Sequence, residues 1–190
     1  MGTAEMGTAD MGTADMGSRE TILDVKDLKV RFRTLDGTVE AVKGIDIHVC
    51  AGETVAVVGE SGSGKSQTMM AAMRLLASNG EASGIVDYRG RNLLALGKSE
   101  LNTVRGAKIS MIFQEPMTSL DPLYTIGNQL IEPIRRHRGL GAAEAHKEGL
   151  RLLRLVHIPE PERRMKSYPY EMSGGQRQRV MIAMALANDP

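Results

Sequence analysis

One stretch constrains this chain more than any other. Gly59-Glu60-Ser61-Gly62-Ser63-Gly64-Lys65-Ser66 satisfies the pattern G-x-x-x-x-G-K-[ST] at every fixed position. Before it, Thr54-Val55-Ala56-Val57-Val58 is a short apolar run, as a parallel strand buried on both faces requires. After it, Gln67 to Ser78 reads as a helix with Met69, Met70, Met73, Leu75 and Leu76 at its apolar positions. A strand, a glycine-rich turn and a helix in that order give the pattern its physical meaning. Gly62 and Gly64 let the backbone curl so that successive N–H groups converge on phosphate oxygens. The helix start adds its own N–H groups and the positive end of its dipole. Lys65 carries a full positive charge to the β- and γ-phosphates, and the Ser66 hydroxyl suits Mg²⁺. A chance match in a chain this long is on the order of one in a hundred, and the flanks lower that further. The stretch is read as a P-loop that holds nucleotide phosphate.

Composition narrows the partners. The 190 residues suffice for one domain with a core, and 42% hydrophobic with 25% charged residues is ordinary for a globular protein. A formal net charge of +1 gives no global field favouring nucleic acid or an anionic membrane. The single cysteine, Cys50, excludes an intrachain disulfide and reads as a small buried residue. No run approaches the roughly 18 apolar residues of a membrane span, so any link to a membrane must pass through a partner.

The first 17 residues repeat with a period of five (Met1-Gly-Thr-Ala-Glu, Met6-Gly-Thr-Ala-Asp, Met11-Gly-Thr-Ala-Asp), which fits neither a helix nor a strand face. Residues 1–19 are expected to form a disordered tail. Leu23, Val25, Leu28, Val30 and Phe32 then alternate roughly, and runs at Val39–Val42 and Ile45–Val49 flank Gly44, predicting an antiparallel meander. Gly84–Tyr88 and Ile109–Phe113 read as further strands, and Ser99–Arg105 as a short helix capped by Ser99. Thr125 is placed to cap a helix reaching about His137. Ala142–Ile158 reads as another helix, with Leu150, Leu153 and Val156 on one face and Arg151 and Arg154 on the other. Finally, Ser173-Gly174-Gly175-Gln176 opens a helix, Val180–Ala187, that is apolar nearly all round and so predicted buried. This is a second helix start suited to an anion. Two in one chain make sense if the second covers a nucleotide held by another subunit.

Ser173-Gly174-Gly175-Gln176, far downstream of a P-loop, resembles the signature motif of ABC transporter ATPases. Met172 stands where that family commonly has Leu. Gln114 resembles the family's Q-loop glutamine, and Phe32 matches the position of its adenine-stacking aromatic. The runs Phe113–Pro122 and Tyr168–Gln176 look most like the peptide (oligopeptide, dipeptide) and nickel importer branch. The resemblance covers Glu20 to Pro190.

That resemblance implies an α/β fold: a RecA-like P-loop NTPase core with an antiparallel β subdomain and an inserted helical subdomain, about Leu120 to Tyr170. ATP would contact Phe32, Gly59, Glu60, Ser61, Gly62, Ser63, Gly64, Lys65, Ser66, Gln67 and Gln114, with Ser66 and Gln114 on Mg²⁺. Ser173, Gly174, Gly175 and Gln176 would meet the ATP of a second ATPase subunit. Transmembrane permease subunits, and indirectly a substrate-binding protein, are the further partners implied, at the cytoplasmic face of the cell membrane. The family's Mg²⁺-binding Asp, catalytic Glu and switch His come after a strand that would begin just past Pro190. None of His48, His137, His146 or His157 matches the switch, and no residue is identified as catalytic base. The chain is therefore expected to be a C-terminally incomplete cassette that exposes strand edges, binds ATP poorly alone and hydrolyses it slowly if at all. The alternatives are a non-hydrolysing nucleotide-binding fragment and a soluble ABC ATPase without a transport role.

Overall fold

A computed structural model describes residues 19–114 and 119–190. The repeat expected to form a disordered tail lies outside the described residues, except for Arg19. The chain divides into two compact units, one ending at Leu96 and the other beginning at Gly97.

The first unit is built on an antiparallel sheet. Strands β1 (Thr21–Thr34) and β2 (Gly37–Cys50) form a long hairpin, and β3 (Gly80–Tyr88) and β4 (Arg91–Asn92) extend it in the order β2-β1-β3-β4. The expected break at Gly44 is not a strand end, since β2 runs through it. Three strands distort together at this level, with positive φ at Asp27 (45°), Gly44 (105°) and Gly84 (111°). β1 shifts register between Val25 and Leu28. A Cβ on Gly84 would stand 2.5 Å from the Asp27 carbonyl oxygen, and one on Gly44 would stand 2.7 Å from Asp27 Oδ1. Glycine is thus needed wherever the bulge of β1 presses on a neighbour. The bulge also explains the imperfect alternation of the sequence. It resets the phase of β1, so Val25, Leu28 and Val30 are all buried despite their uneven spacing.

Helix α1 (Lys65–Ala72) follows the P-loop and packs on the sheet. It is shorter than the expected Gln67–Ser78. Arg74 adopts φ 52°, Arg74 N–H bonds to the Ala71 oxygen and Leu75 N–H to the Met70 oxygen. This double closure terminates a helix whatever apolar residues follow.

The second unit is helical: α2 (Lys98–Val104), α3 (Ile126–Arg138), α4 (Ala142–Leu155), α5 (Pro161–Arg164) and α6 (Gly174–Leu186). Ser99 is not the cap of α2; Gly97 holds that position, and its N–H bonds to Glu100 Oε2 at 3.2 Å. Thr125 does cap α3, accepting from Asn128 N–H at 3.3 Å. Helix α4 ends at Leu155, three residues short of the expected Ile158, because His157 takes φ 55°. Ile126, Leu130 and Ile134 of α3, Leu152 and Leu153 of α4 and Val180 and Ala183 of α6 form the buried core. Helix α6 is not buried all round: Val180, Met181 and Ala183 face that core while Leu186 is exposed. Alanines at positions 183, 185 and 187 make the helix look uniformly apolar, although only one side has a packing partner.

Glu148 of α4 ties this unit together. It accepts from Arg151 Nη2 at 2.8 Å and from Arg138 Nη1, at the end of α3, at 2.9 Å. Arg138 also donates to the Ala187 oxygen just past α6, at 3.4 Å. These hydrogen bonds, from Arg151 first and Arg138 next, hold the Glu148 carboxyl down to about 2.

Two expected strands do not form. Thr54–Val58 enters no ladder, and Ile109–Phe113 contributes only an isolated bridge from Ile109 to Arg105. Val55, Val57, Val58, Ile112 and Phe113 are correspondingly exposed, Val58 to 84%. Their apolar patterning suits strands flanked on both edges, and a strand is a strand only when a neighbour supplies the ladder. Among the described residues no such neighbour lies beside them.

Candidate functional site

The P-loop closes on its own lysine. The Lys65 ammonium donates to the carbonyl oxygens of Gly59 at 2.7 Å and Glu60 at 2.6 Å, with Ser63 Oγ at 3.4 Å. Ser63 N–H bonds back to the Glu60 oxygen at 3.2 Å, closing a turn within the loop. Gly62 and Gly64 both lie in the left-handed region, at φ 83° and 92°. Gly64 is constrained twice, because a Cβ there would also stand 2.6 Å from the Ala41 oxygen and 3.3 Å from Val42 Cγ2. The loop is thereby seated directly on β2.

Gly64 is also the N-cap of α1, and no side chain caps the helix. The first intrahelical bond runs from Thr68 N–H to the Gly64 oxygen at 2.9 Å, so the N–H groups of Lys65, Ser66 and Gln67 have no acceptor within the helix. The bare helix start and the Lys65 ammonium beside it form a candidate anion cradle. Triphosphate oxygens fit it, since each could replace one of the carbonyls that now hold Lys65. Ser66 is exposed at the same helix start. One hydroxyl oxygen suits Mg²⁺, which takes few protein ligands and completes its shell with phosphate and water. Among the described residues there is no cluster of three or more His, Cys, Asp or Glu side chains that would hold a metal by itself.

Phe32 shares the sheet face of the P-loop. Its strand neighbour Val30 pairs with Val42, the residue against which Gly64 is seated, and two residues along a strand span about 7 Å. Phe32 is half-buried, between Val39 of β2 and Gly80 of β3. Cys50, expected to be buried, is instead half-exposed, with its Sγ 3.4 Å from His48 Nε2. That position is at the end of β2, opposite Thr21 at the start of β1.

In the second unit, Gln114 is exposed and belongs to no helix or strand. Ser173 is the N-cap of α6, accepting from Gln176 N–H at 3.3 Å, and Gln176 Oε1 accepts from Ser173 N–H at 3.1 Å. Gln176 thus spends its side chain on the cap. Gly174 and Gly175 are exposed, and a Cβ on either would meet nothing within 4 Å. Met172 is buried in the helical core, where a thioether fills the space of a leucine. The carbonyls of Gly59 and Glu60 were not legible in the sequence, since any residue type supplies one.

Comparison with known proteins now adds to this geometry. A model of the ABC transporter family matches residues 42–190. The chain belongs to that family. Among curated relatives of this ABC chain, the oligopeptide transport ATP-binding protein OppD of Salmonella typhimurium is 54% identical over 89% of the chain and 50% of its own length. OppD of Bacillus subtilis is 46% identical over 89% of the chain and 48% of its own length. The dipeptide transport ATP-binding protein DppD of Lactococcus lactis is 47% identical over 91% of the chain and 50% of its own length. The chain spans about half the length of the curated relatives it matches. Among solved structures, the ATP-binding cassette MJ0796, dimeric and bound to ADP and Pi, superposes with a TM-score of 0.77 at 30% identity, covering 89% of this chain and 71% of that one. The fold is that of an ABC ATPase cassette. Among the described residues, no helix is long and apolar enough to cross a membrane.

Proposed function

We propose that this chain is the ATP-binding part of a peptide importer subunit. The observation that carries the reading is the loop closed by Lys65 at the uncapped start of α1. Its chemistry is phosphate binding, and the names of relatives about half identical over the matched region supply the cargo.

Gly59 to Gln67 would wrap the triphosphate, with Lys65 leaving its carbonyls for the β- and γ-phosphate oxygens. Phe32 would stack on the base. Ser66 would hold Mg²⁺, which would neutralise phosphate charge. Two helix starts suited to anions, on separate units of one chain, favour a nucleotide shared by two copies. In that arrangement Ser173, Gly174, Gly175 and Gln176 of one copy cover the phosphates at the other's P-loop. The dimeric state of MJ0796 with ADP and Pi supports it. The helical segment of about residues 120–170 would dock on permease subunits at the cytoplasmic face of the membrane, so that nucleotide-driven closure of the pair drives transport and ATP hydrolysis resets it. None of the described residues is assigned as catalytic base.

The test is Lys65→Ala introduced at the chromosomal locus, followed by uptake of a labelled tripeptide into the cells. Loss of ATP-dependent uptake is expected. Unchanged tripeptide uptake alongside lost uptake of labelled Ni²⁺ would replace the peptide by the metal as cargo.

A further inference from the structure

Phe32 meets an unusual partner across the sheet. In the register of β1 with β3 it stands opposite Gly80. A Cβ on Gly80 would come within 2.7 Å of Phe32 Cε1, 3.1 Å of Phe32 Cδ1 and 3.1 Å of Leu76 Cβ. The ring therefore occupies the space that a side chain at position 80 would take, an arrangement in which an aromatic covers the gap left by a cross-strand glycine. Gly80 is not in the left-handed region, so its backbone conformation does not demand glycine. What demands it is the ring.

The neighbouring residues fix the same corner. Arg33 N–H bonds to the Asn79 oxygen at 2.9 Å, Asn79 Nδ2 donates to the Arg33 oxygen at 2.9 Å, and Gly80 N–H bonds to the Ala77 oxygen at 2.8 Å. Asn79 thus clamps β1 one residue beyond Phe32, while Gly80 and Leu76 supply the floor on which the ring rests. Phe32 is half-buried, so part of its surface stays open to a ligand.

We infer that Gly80, supported by Asn79, is a positioning residue that sets the plane of Phe32 and through it the seat of the nucleotide base. This rests on the reading of Phe32 as the base-stacking residue. A methyl group at position 80 would push the ring from this place, and its contact with a base depends on where the ring sits. The effect belongs to the base alone, because the phosphate cradle is built from residues 59–67.

The experiment compares equilibrium binding of ATP with that of inorganic tripolyphosphate, which has no base, to the 190-residue chain and its variants. Gly80→Ala is expected to weaken ATP binding about fivefold, the worth of one stacked base, and to leave tripolyphosphate unchanged. In a Phe32→Leu background, Gly80→Ala should add nothing. Equal losses for both ligands, or losses that multiply in the double variant, would overturn the proposal in favour of a purely structural glycine. If Phe32→Leu leaves ATP binding intact, the stacking reading itself falls, and the positioning role with it. Should Gly80→Ala not fold, Asn79→Ala serves instead, since that side chain is exposed. It should weaken ATP about twofold and spare tripolyphosphate, and an equal effect on both would again overturn the assignment.

Discussion

Helices α1 and α6 both begin in a glycine-rich stretch, yet they begin in opposite ways. Helix α1 starts at Gly64 in the left-handed region with no side-chain cap, and the loop's lysine is held by two of the loop's own carbonyls and by Ser63 Oγ. Helix α6 starts at Ser173 with a reciprocal cap to Gln176, so two of its N–H groups already have acceptors. The first start is poised for an anion and the second is self-sufficient. Held this way, the second can meet a phosphate through Gly174 and Gly175 without depending on it for folding. The far ends differ too. Helix α1 ends in a backbone turn, whereas the end of α6 is held through Arg138, which is itself held by Glu148.

The largest effect should come from emptying the first start. Lys65→Ala removes the one positive charge among residues 59–67 and is expected to weaken ATP binding by about 100-fold, as loss of charge-assisted hydrogen bonds to a phosphate implies. Isothermal titration would show it. A Ser173→Ala loss of similar size at the chain's own site would break the comparison, because both starts would then serve one nucleotide. Next in size, Gly64→Ala should cost about 2 kcal/mol of stability and weaken ATP binding by less than Lys65→Ala does, since φ 92° and a contact of 2.6 Å with the Ala41 oxygen both oppose a side chain. A melting temperature equal to that of the wild type would show that the loop can lift from β2.

Sequence made the two starts legible but not their difference. The residues Gly62, Gly64, Lys65 and Ser66 announce phosphate because the chemistry needs those types at that spacing. Ser173 and Gln176, three apart, also spell a capping box, and its formation is what separates this start from the other. Strands were harder. Val25 and Leu28 share a face only because a bulge lies between them, and Gly44 looked like a strand end when it accommodates that bulge. Thr54–Val58 and Ile109–Phe113 have the right composition for buried strands, but pairing is a property of neighbours and no local pattern supplies it. Helix ends at Arg74 and His157 were missed for a related reason: non-glycine residues there take a conformation usually signalled by glycine.

Acid should act on the helical unit through Glu148. The folded Glu148 carboxyl titrates at about 2 against 4.5 for an unperturbed one, so the folded chain binds this proton less readily than the unfolded chain. Its stabilisation is complete above pH 4.5 and is lost as the pH falls from there toward 2. With screening allowed for, the loss is about 2 kcal/mol. Glu148→Gln should flatten the stability profile over that range, measured by urea melts at successive pH values. An unchanged slope would mean that Arg138 and Arg151 gain nothing from this partner.

The smallest effect is also the sharpest test of the comparison. Ser173→Ala deletes the oxygen that accepts from Gln176 N–H, and should cost about 1 kcal/mol, seen as a lower melting temperature. Ser173→Gly should cost only a few tenths, because glycine is itself a tolerable cap. Neither variant should change ATP binding at the chain's own P-loop, which has no side-chain cap to lose. If Ser173→Ala instead left stability unchanged, the cap would be contributing nothing, and the signature start would be as bare as the P-loop start. The two helix starts would then differ in the backbone of their caps and in the lysine that follows Gly64, and the self-sufficiency of α6 would no longer explain how it waits for a nucleotide held elsewhere.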